Sequence, residues 1–270
     1  MEELYSKKPL KMWNDVPVFS EMSDYIENYE KISFDHIDHF NKTGQNPFME
    51  ESYWKAIEES TKLLIDKYSS KGDKILDVGV GTGRLLETYK DLDKYGMDIS
   101  TTYLNITKEK GINCCISLVE DMPYQDNYFD IITCTDVLEH VLDLNLAVKN
   151  ILRVLKPGGK LIVRVPYRED ISWYLGPECP YDYVHVRSFD ENNLKGLFTK
   201  IFKTKILDWS TAGEYLNESR LKYPVPPYNR WVKGFISFYY DYKLKRDKEM
   251  YKTFFYESVI NMVAEKPDTK

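Results

Sequence analysis

From Lys74 onward, short apolar runs alternate with longer stretches whose apolar residues recur at helical spacing. The runs predict strands over 74–78 (KILDV), 94–98 (KYGMD), 113–118, 129–134 (FDIITC) and 160–165 (KLIVRV). The stretches between them predict helices over 84–91, 101–109 and 143–155. The last of these meets Lys156-Pro157-Gly158-Gly159, a composition that ends a helix and turns the chain into a strand. A further helix over 190–198, a strand over 201–209 and a final strand over 254–264 complete the pattern. Strands that alternate with helices in this way build a mostly parallel sheet covered on both faces.

Upstream, apolar and aromatic positions keep helical spacing around Tyr25, Tyr29 and Ile32, and again over 51–68, where Trp54, Ile57, Leu64 and Ile65 recur. Residues 1–73 therefore read as an N-terminal helical cap or lid. Residues 74–212 and 250–266 form the α/β core, and 213–249 an insertion that covers the substrate site or meets another surface. The insertion carries Trp231, Phe235, Phe238, Tyr239 and Tyr242 on one helical stripe, flanked by lysines and Arg246. A basic amphipathic stripe of this kind suits a membrane surface. Packing on the core, roofing of the site or contact with a second subunit of a homodimer is preferred, because five aromatics on one face also make an ordinary buried stripe.

The first core strand runs into ILDVGVGTGRLL (75–86), with glycines at 79, 81 and 83. A strand, a glycine-rich turn and a helix bring backbone N–H groups close to a nucleotide-like ligand. The spacing is G-x-G-x-G, unlike the dinucleotide fingerprint, and the loop lacks the lysine of a phosphate loop. A nucleoside without phosphate fits better. Asp98, fifteen positions after Gly83, ends the second strand, where a carboxylate can accept from both ribose hydroxyls; a helix cap for the Ser100-Thr101 segment is the alternative role.

Charge narrows the partners. The formal net charge of −6 argues against a nucleic-acid backbone as ligand. No run approaches the roughly 18 apolar residues of a membrane span, and no signal-peptide pattern opens the chain, so a cytoplasmic protein is expected. The four cysteines show no C-x-x-C spacing, which fits reduced thiols and gives no metal-ligand pattern. No metal is expected.

Four segments, ILDVGVGTGRLL (75–86), YGMDIS (95–100), EDMPYQDNYFDIITCTDVLEHV (120–141) and VLKPGGKLIVRVP (154–166), resemble in order and spacing the class I S-adenosylmethionine-dependent methyltransferases, in their small-molecule branch. The resemblance implies a Rossmann-like, doubly wound, mostly parallel seven-stranded sheet. It implies S-adenosyl-L-methionine as cofactor and S-adenosyl-L-homocysteine as product. It would place Asp77, Gly79 and Gly81 by the methionine portion, Gly83 at a close helix contact, Asp98 on the ribose and Ile99 on the adenine. Val119, Glu120, Asp121 and Met122 would flank the adenine, although Leu118 stands where the family often has an acid before Val119. Thr135 and Asp136 would lie near the sulfonium and the acceptor, and Tyr25 and Tyr29 on a lid helix.

Methyl transfer from a sulfonium needs alignment above all, and an acceptor hydroxyl must also lose a proton. His140, in the Leu138-Glu139-His140 pattern, and His185, in the loop after the fifth strand, are the candidate catalytic bases; His36 and His39 lie in the cap. Arg168 or Arg187 could hold an anionic group. The expectation is methyl transfer to oxygen, with nitrogen second, on a small polar metabolite such as a sugar, a glycan precursor or a secondary metabolite. Two other classes compete: an aminopropyl transferase, which needs an acidic pocket (Asp136 and Glu139 are the nearest pair), and a non-catalytic cofactor-binding scaffold, which need not keep the glycines and Asp98.

Overall fold

A computed structural model describes residues 4–216 and 255–268. The stripe of Trp231 to Tyr242 and the rest of the insertion from residue 217 to 249 lie outside the described residues.

The strands are β1 (Lys11–Trp13), β2 (Val16–Val18), β3 (Lys74–Val78), β4 (Asp93–Asp98), β5 (Asn113–Ile116), β6 (Phe129–Thr135), β7 (Leu155–Pro166), β8 (Lys205–Leu216) and β9 (Phe255–Glu265). They form one sheet in the order β1-β2-β5-β4-β3-β6-β7-β9-β8. Pairing is parallel from β2 through β7. It is antiparallel for the β1–β2 hairpin and for β9 against β7 and β8. The expected α/β sheet is present, with nine strands among the described residues in place of seven. The two extra strands come from the segment read as wholly helical. Val16 and Val18 are buried on either side of half-buried Pro17, and Val18 pairs with Ile116 at the edge of β5. An alternation of three residues is too short to stand out in a sequence, and it becomes a strand by borrowing an existing edge.

The helices are α1 (Asp24–Thr43), α2 (Glu51–Tyr68), α3 (Thr101–Thr107), α4 (Leu144–Val154) and the short α5 (Glu191–Lys195). Ser23 caps α1 by accepting from Ile26 N–H, and Gly44 closes it in the left-handed conformation. Asp143 caps α4 in the same manner, accepting from Leu146 N–H. Along β3, Leu76 and Val78 enter the core under α4, while Ile75 joins Leu64 and Ile65 of α2 and Leu104 of α3 on the opposite face. That alternation is the period of two that a sheet covered on both sides demands.

The helix expected over 84–91 is absent: residues 84–88 are turns. Leu85 and Leu86 are buried as their spacing implies, yet the backbone closes three-residue turns, such as Tyr89 N–H to Leu86 O at 3.2 Å. So short a stretch gains too little from its few hydrogen bonds to nucleate a helix. The KPGG turn also takes a different form. Residues 156–159 sit inside β7, at the register shift where pairing moves from Phe129–Leu155 to Ile131–Lys160.

The chain runs outward from β3 to β4 and β5, then crosses back to β6 on the other side of β3. Ligands of open α/β sheets lie beyond the carboxyl ends of the strands at such a reversal.

Candidate active site

A cavity of about 800 Å3 lies beyond the ends of β3, β4, β6 and β7, lined there by Gly79, Asp98, Thr135 and Pro166. The loop after β3 forms its floor. Gly79 and Val80 N–H both donate to Met97 O, at 2.9 and 3.0 Å, which ties the loop to β4. Gly79 has φ of +70°, and a Cβ there would stand 2.4 Å from Val137 Cγ2, so only glycine fits. At Gly81 a Cβ would meet nothing within 4 Å, because this glycine borders the open cavity. Gly83 faces away, against Thr107 and Ile112, and does not line the cavity.

Asp98 is a strut as well as a cavity residue. Oδ2 accepts from Gly81 N–H at 2.9 Å and Oδ1 from Ser100 N–H at 2.9 Å. One lone pair on each oxygen remains for a ligand. Burial raises its pKa, against the pull of these N–H groups. Asp77 is deeper: it accepts from Thr133 Oγ1 at 2.8 Å, and burial pushes its carboxyl up to about 7 despite Thr133 and Arg164.

Ile99 and Glu120 line the cavity, but Glu120 is already engaged, accepting from Leu142 and Asp143 N–H at 3.0 and 3.3 Å. Asp121 and Met122 do not reach the cavity. Asp121 is exposed and paired with Lys7, and Met122 is buried in the core under the sheet. The side wall beside Glu120 is formed by Val119, which the sequence placed there, and by Ser117 and Leu118.

The roof is α1. Glu30 accepts from the N–H and hydroxyl groups of both Thr101 and Thr102, Ser33 Oγ lies 2.6 Å from Ser100 Oγ, and His36 Nδ1 lies 2.8 Å from Tyr103 Oη. These bonds fasten α1 to the start of α3. Tyr25 and Tyr29 project from it into the cavity lining, with ring centroids 4.9 Å apart. Burial pushes both hydroxyls well above their ordinary pKa.

The far wall holds the titratable groups. Asp136, at φ +55°, is paired with the buried Arg164 at 2.5 Å, and Arg164 also donates to Thr61 Oγ1 and Ile57 O. Arg164 therefore anchors Asp136 to α2 and is not free to bind an acceptor. Arg187 donates to the carbonyls of Leu138, Val141 and Leu142, a structural clamp on the turn after β6. Arg168 lines the cavity with its guanidinium over the Tyr167 ring, and among the described residues it has no ion-pair partner.

His140 and His185 meet, their ring centroids 4.5 Å apart. His140 Nδ1 faces Val184 O at 3.0 Å and Tyr29 Oη at 2.6 Å. Donation from Nδ1 to that carbonyl leaves Nε2 as the bare nitrogen. Burial, helped by neighbouring His185, pushes the His140 pKa down to about 3, so the ring is neutral. His185 Nδ1 is held by Glu169, whose other oxygen accepts from Tyr174 Oη at 2.8 Å. Glu139 stands beside both rings, 1% exposed, with neither side-chain oxygen partnered. Burial, followed by the charge of Asp136, raises its pKa strongly. The sequence offered Glu139 only as half of an acidic pair with Asp136, and Glu169 did not emerge from it as a site residue. The Asp136-x-x-Glu139-His140 spacing after a strand end was the available signal.

Among the described residues no helix is long and apolar enough to cross a membrane. Residues 76–163 match the methyltransferase-domain family. A relative from Francisella philomiragia, the ubiquinone/menaquinone biosynthesis C-methyltransferase UbiE, is 40% identical over 170 residues, covering 57% of this chain and 62% of that protein. The chain spans about half the length of the curated relatives it matches. Among solved structures, the [4+2]-cyclase SpnF superposes with TM-score 0.52 at 21% identity, over 78% of this chain and 82% of that one. Haemonchus contortus phosphoethanolamine N-methyltransferase 2, in complex with S-adenosyl-L-methionine, superposes with TM-score 0.50 at 17% identity, over 78% of this chain and 53% of that one. At such identities these structures establish the fold.

Proposed function

We propose that this chain, whose residues 76–163 match a methyltransferase domain, is a class I, S-adenosylmethionine-dependent enzyme that transfers a methyl group to a hydroxyl oxygen of a small polar molecule. The observation that carries the reading is a single cavity with two unlike ends. One end is the glycine loop with Asp98, and the other is the wall of Glu139, His140, Glu169 and His185. The nucleoside belongs at the first end, with Asp98 accepting from the ribose hydroxyls. The acceptor belongs at the second, under Tyr25 and Tyr29.

In the reaction the methyl carbon leaves sulfur, whose bonding pair stays behind to give the thioether S-adenosylhomocysteine. The carbon bonds to a lone pair of the acceptor oxygen. The acceptor's proton departs toward the carboxylate–histidine wall. Held in line between a bound sulfonium and this wall, the reactants gain most of their rate from proximity.

A second reading is favoured by the UbiE relatives, which are named as C-methyltransferases. Methylation of a ring carbon activated by a neighbouring hydroxyl starts with the same proton loss. The aromatic lining of Tyr53, Trp54, Phe48 and Trp173 suits a flat acceptor. A test is calorimetry with S-adenosylhomocysteine and NAD, followed by incubation of S-adenosylmethionine with catechols, phenols and polyols and assignment of the new methyl group by NMR. Binding of the first ligand and a methyl ether product are expected. A carbon-bound methyl selects the second reading, and binding of NAD in place of S-adenosylhomocysteine overturns both.

A further inference from the structure

Three groups in the far wall are placed as ligands for something the described residues do not supply. Glu139 is buried with two unpartnered carboxylate oxygens. Leaving such a group unmade is expensive in a protein interior, so natural structures rarely do it without a ligand or a role. His140 and His185 converge on it, and one ligand atom from each of the three lies within 4.8 Å of the others.

We propose that Glu139, His140 and His185 bind one divalent first-row transition ion, and that the acceptor hydroxyl completes its coordination. Two imidazoles and a carboxylate, with no thiolate, suit zinc, manganese, iron or cobalt better than calcium or magnesium. Bonds of about 2.0–2.2 Å at tetrahedral angles put two ligand atoms of one ion about 3.4 Å apart. Glu139 Oε1 and His140 Nε2 are 4.0 Å apart. Closing the widest separation, 4.8 Å, needs about 1.4 Å of combined movement, which two side chains share by small rotations.

The surroundings hold the imidazoles ready. His140 Nδ1 points at Val184 O, and His185 Nδ1 is held by Glu169. Both arrangements leave Nε2 free, and a carboxylate or carbonyl behind the ligating ring is what orients histidines at metal sites. Asp136 is not counted as a ligand because Arg164 occupies it. Three protein ligands leave open positions facing the cavity, the pattern of an ion that acts on a substrate. A bound ion would lower the pKa of the coordinated hydroxyl, so that its proton passes out along the carboxylate–histidine wall to water while the oxygen is held as the anion that attacks the methyl carbon. This departs from the sequence expectation of no metal. The acceptor's part in it rests on the proposed methyl transfer, while the ion site stands on geometry alone.

The test is titration of the chelator-treated full chain with Co2+, followed by visible absorption, and with Zn2+, followed by calorimetry. One equivalent is expected, with S-adenosylhomocysteine binding measured separately in the same sample. Glu139→Gln and His185→Gln should each weaken Co2+ binding at least 100-fold while binding S-adenosylhomocysteine as before. Wild-type Tm should rise with Zn2+, and that rise should vanish in His185→Gln; should either variant fold poorly, Glu169→Gln, which removes only the support of His185, should still weaken Co2+ binding and shift its spectrum. Absence of stoichiometric Co2+ and Zn2+ uptake by the wild-type chain, or equal uptake by Glu139→Gln, overturns the site. Because S-adenosylhomocysteine binding is read independently, loss of the metal proposal leaves the methyltransferase reading standing.

Discussion

Replacing Asp98 with alanine separates the two jobs its carboxylate performs. On the protein side it accepts from Gly81 and Ser100 N–H, each at 2.9 Å. Truncation leaves both N–H groups beside a cavity into which water enters, so the stability loss should fall near the low end of the usual 1–3 kcal/mol per unmade bond, about 2 kcal/mol in total. On the ligand side it offers one further lone pair per oxygen, one for each ribose hydroxyl. Two charge-assisted bonds of about 1.5–3 kcal/mol each amount to about 3–6 kcal/mol, or roughly 10²- to 10⁴-fold in Kd. The assay is calorimetry with S-adenosylhomocysteine at a temperature where circular dichroism shows the variant folded. A 2′,3′-dideoxyribosyl analogue provides the internal control, because it should bind wild type and Asp98→Ala nearly alike. A folded Asp98→Ala variant that binds S-adenosylhomocysteine within threefold of wild type would refute the ribose assignment.

Gly79→Ala and Gly81→Ala should fail for different reasons. The first combines a left-handed backbone with a Cβ 2.4 Å from Val137 Cγ2, so it should lose about 2–5 kcal/mol in urea unfolding; the second, with nothing within 4 Å, should lose only about 1–2 kcal/mol but weaken S-adenosylhomocysteine binding because its new methyl enters the cavity. Asp77, with its carboxyl raised to about 7 by burial, keeps a proton in the folded chain that the unfolded chain gives up near pH 4. Stability should therefore fall as pH rises between about 4 and 7, by up to about 1.4 kcal/mol per pH unit, and level off above that; subtracting the Asp77→Asn curve isolates the effect, and parallel curves would sink it.

The framework was legible in the sequence because it repeats. Ile75 against Leu76 and Val78, or Ile131 against Ile132, must alternate between two apolar faces. The β1–β2 hairpin was not legible, since three residues cannot display a period and their edge partner, Ile116, is distant in the chain. The turns at 84–88 were misread because apolar spacing reports burial, and burial does not by itself close helical hydrogen bonds. In the site, Asp98 was legible from its position after a strand. The roles of Asp121 and Met122 were not separable from that of Glu120, because whether consecutive residues face the cavity depends on a single turn of backbone over 119–121. The far wall is a tertiary construction. Glu139 and His140 follow β6, whereas Glu169 and His185 follow β7, and only the parallel pairing of those strands brings the loops together.

The same network links cofactor and acceptor ends through one residue. Ser100 donates its N–H to Asp98, caps α3 by accepting from Tyr103 N–H, and meets Ser33 of the roof helix through its hydroxyl. Three and four residues before Ser33 on the same α1 lie Glu30, clamped on Thr101 and Thr102, and Tyr29, seated on His140. A shift of α3 on binding the nucleoside must therefore move α1, and a shift of α1 must move the Tyr29–His140 contact. Asp98 and the wall of His140 are thus joined by hydrogen bonds through a packed helix, whose geometry does not deform continuously. Under the proposed function, a movement of the roof helix would therefore also move the groups that align the acceptor, which suits a reaction governed by alignment.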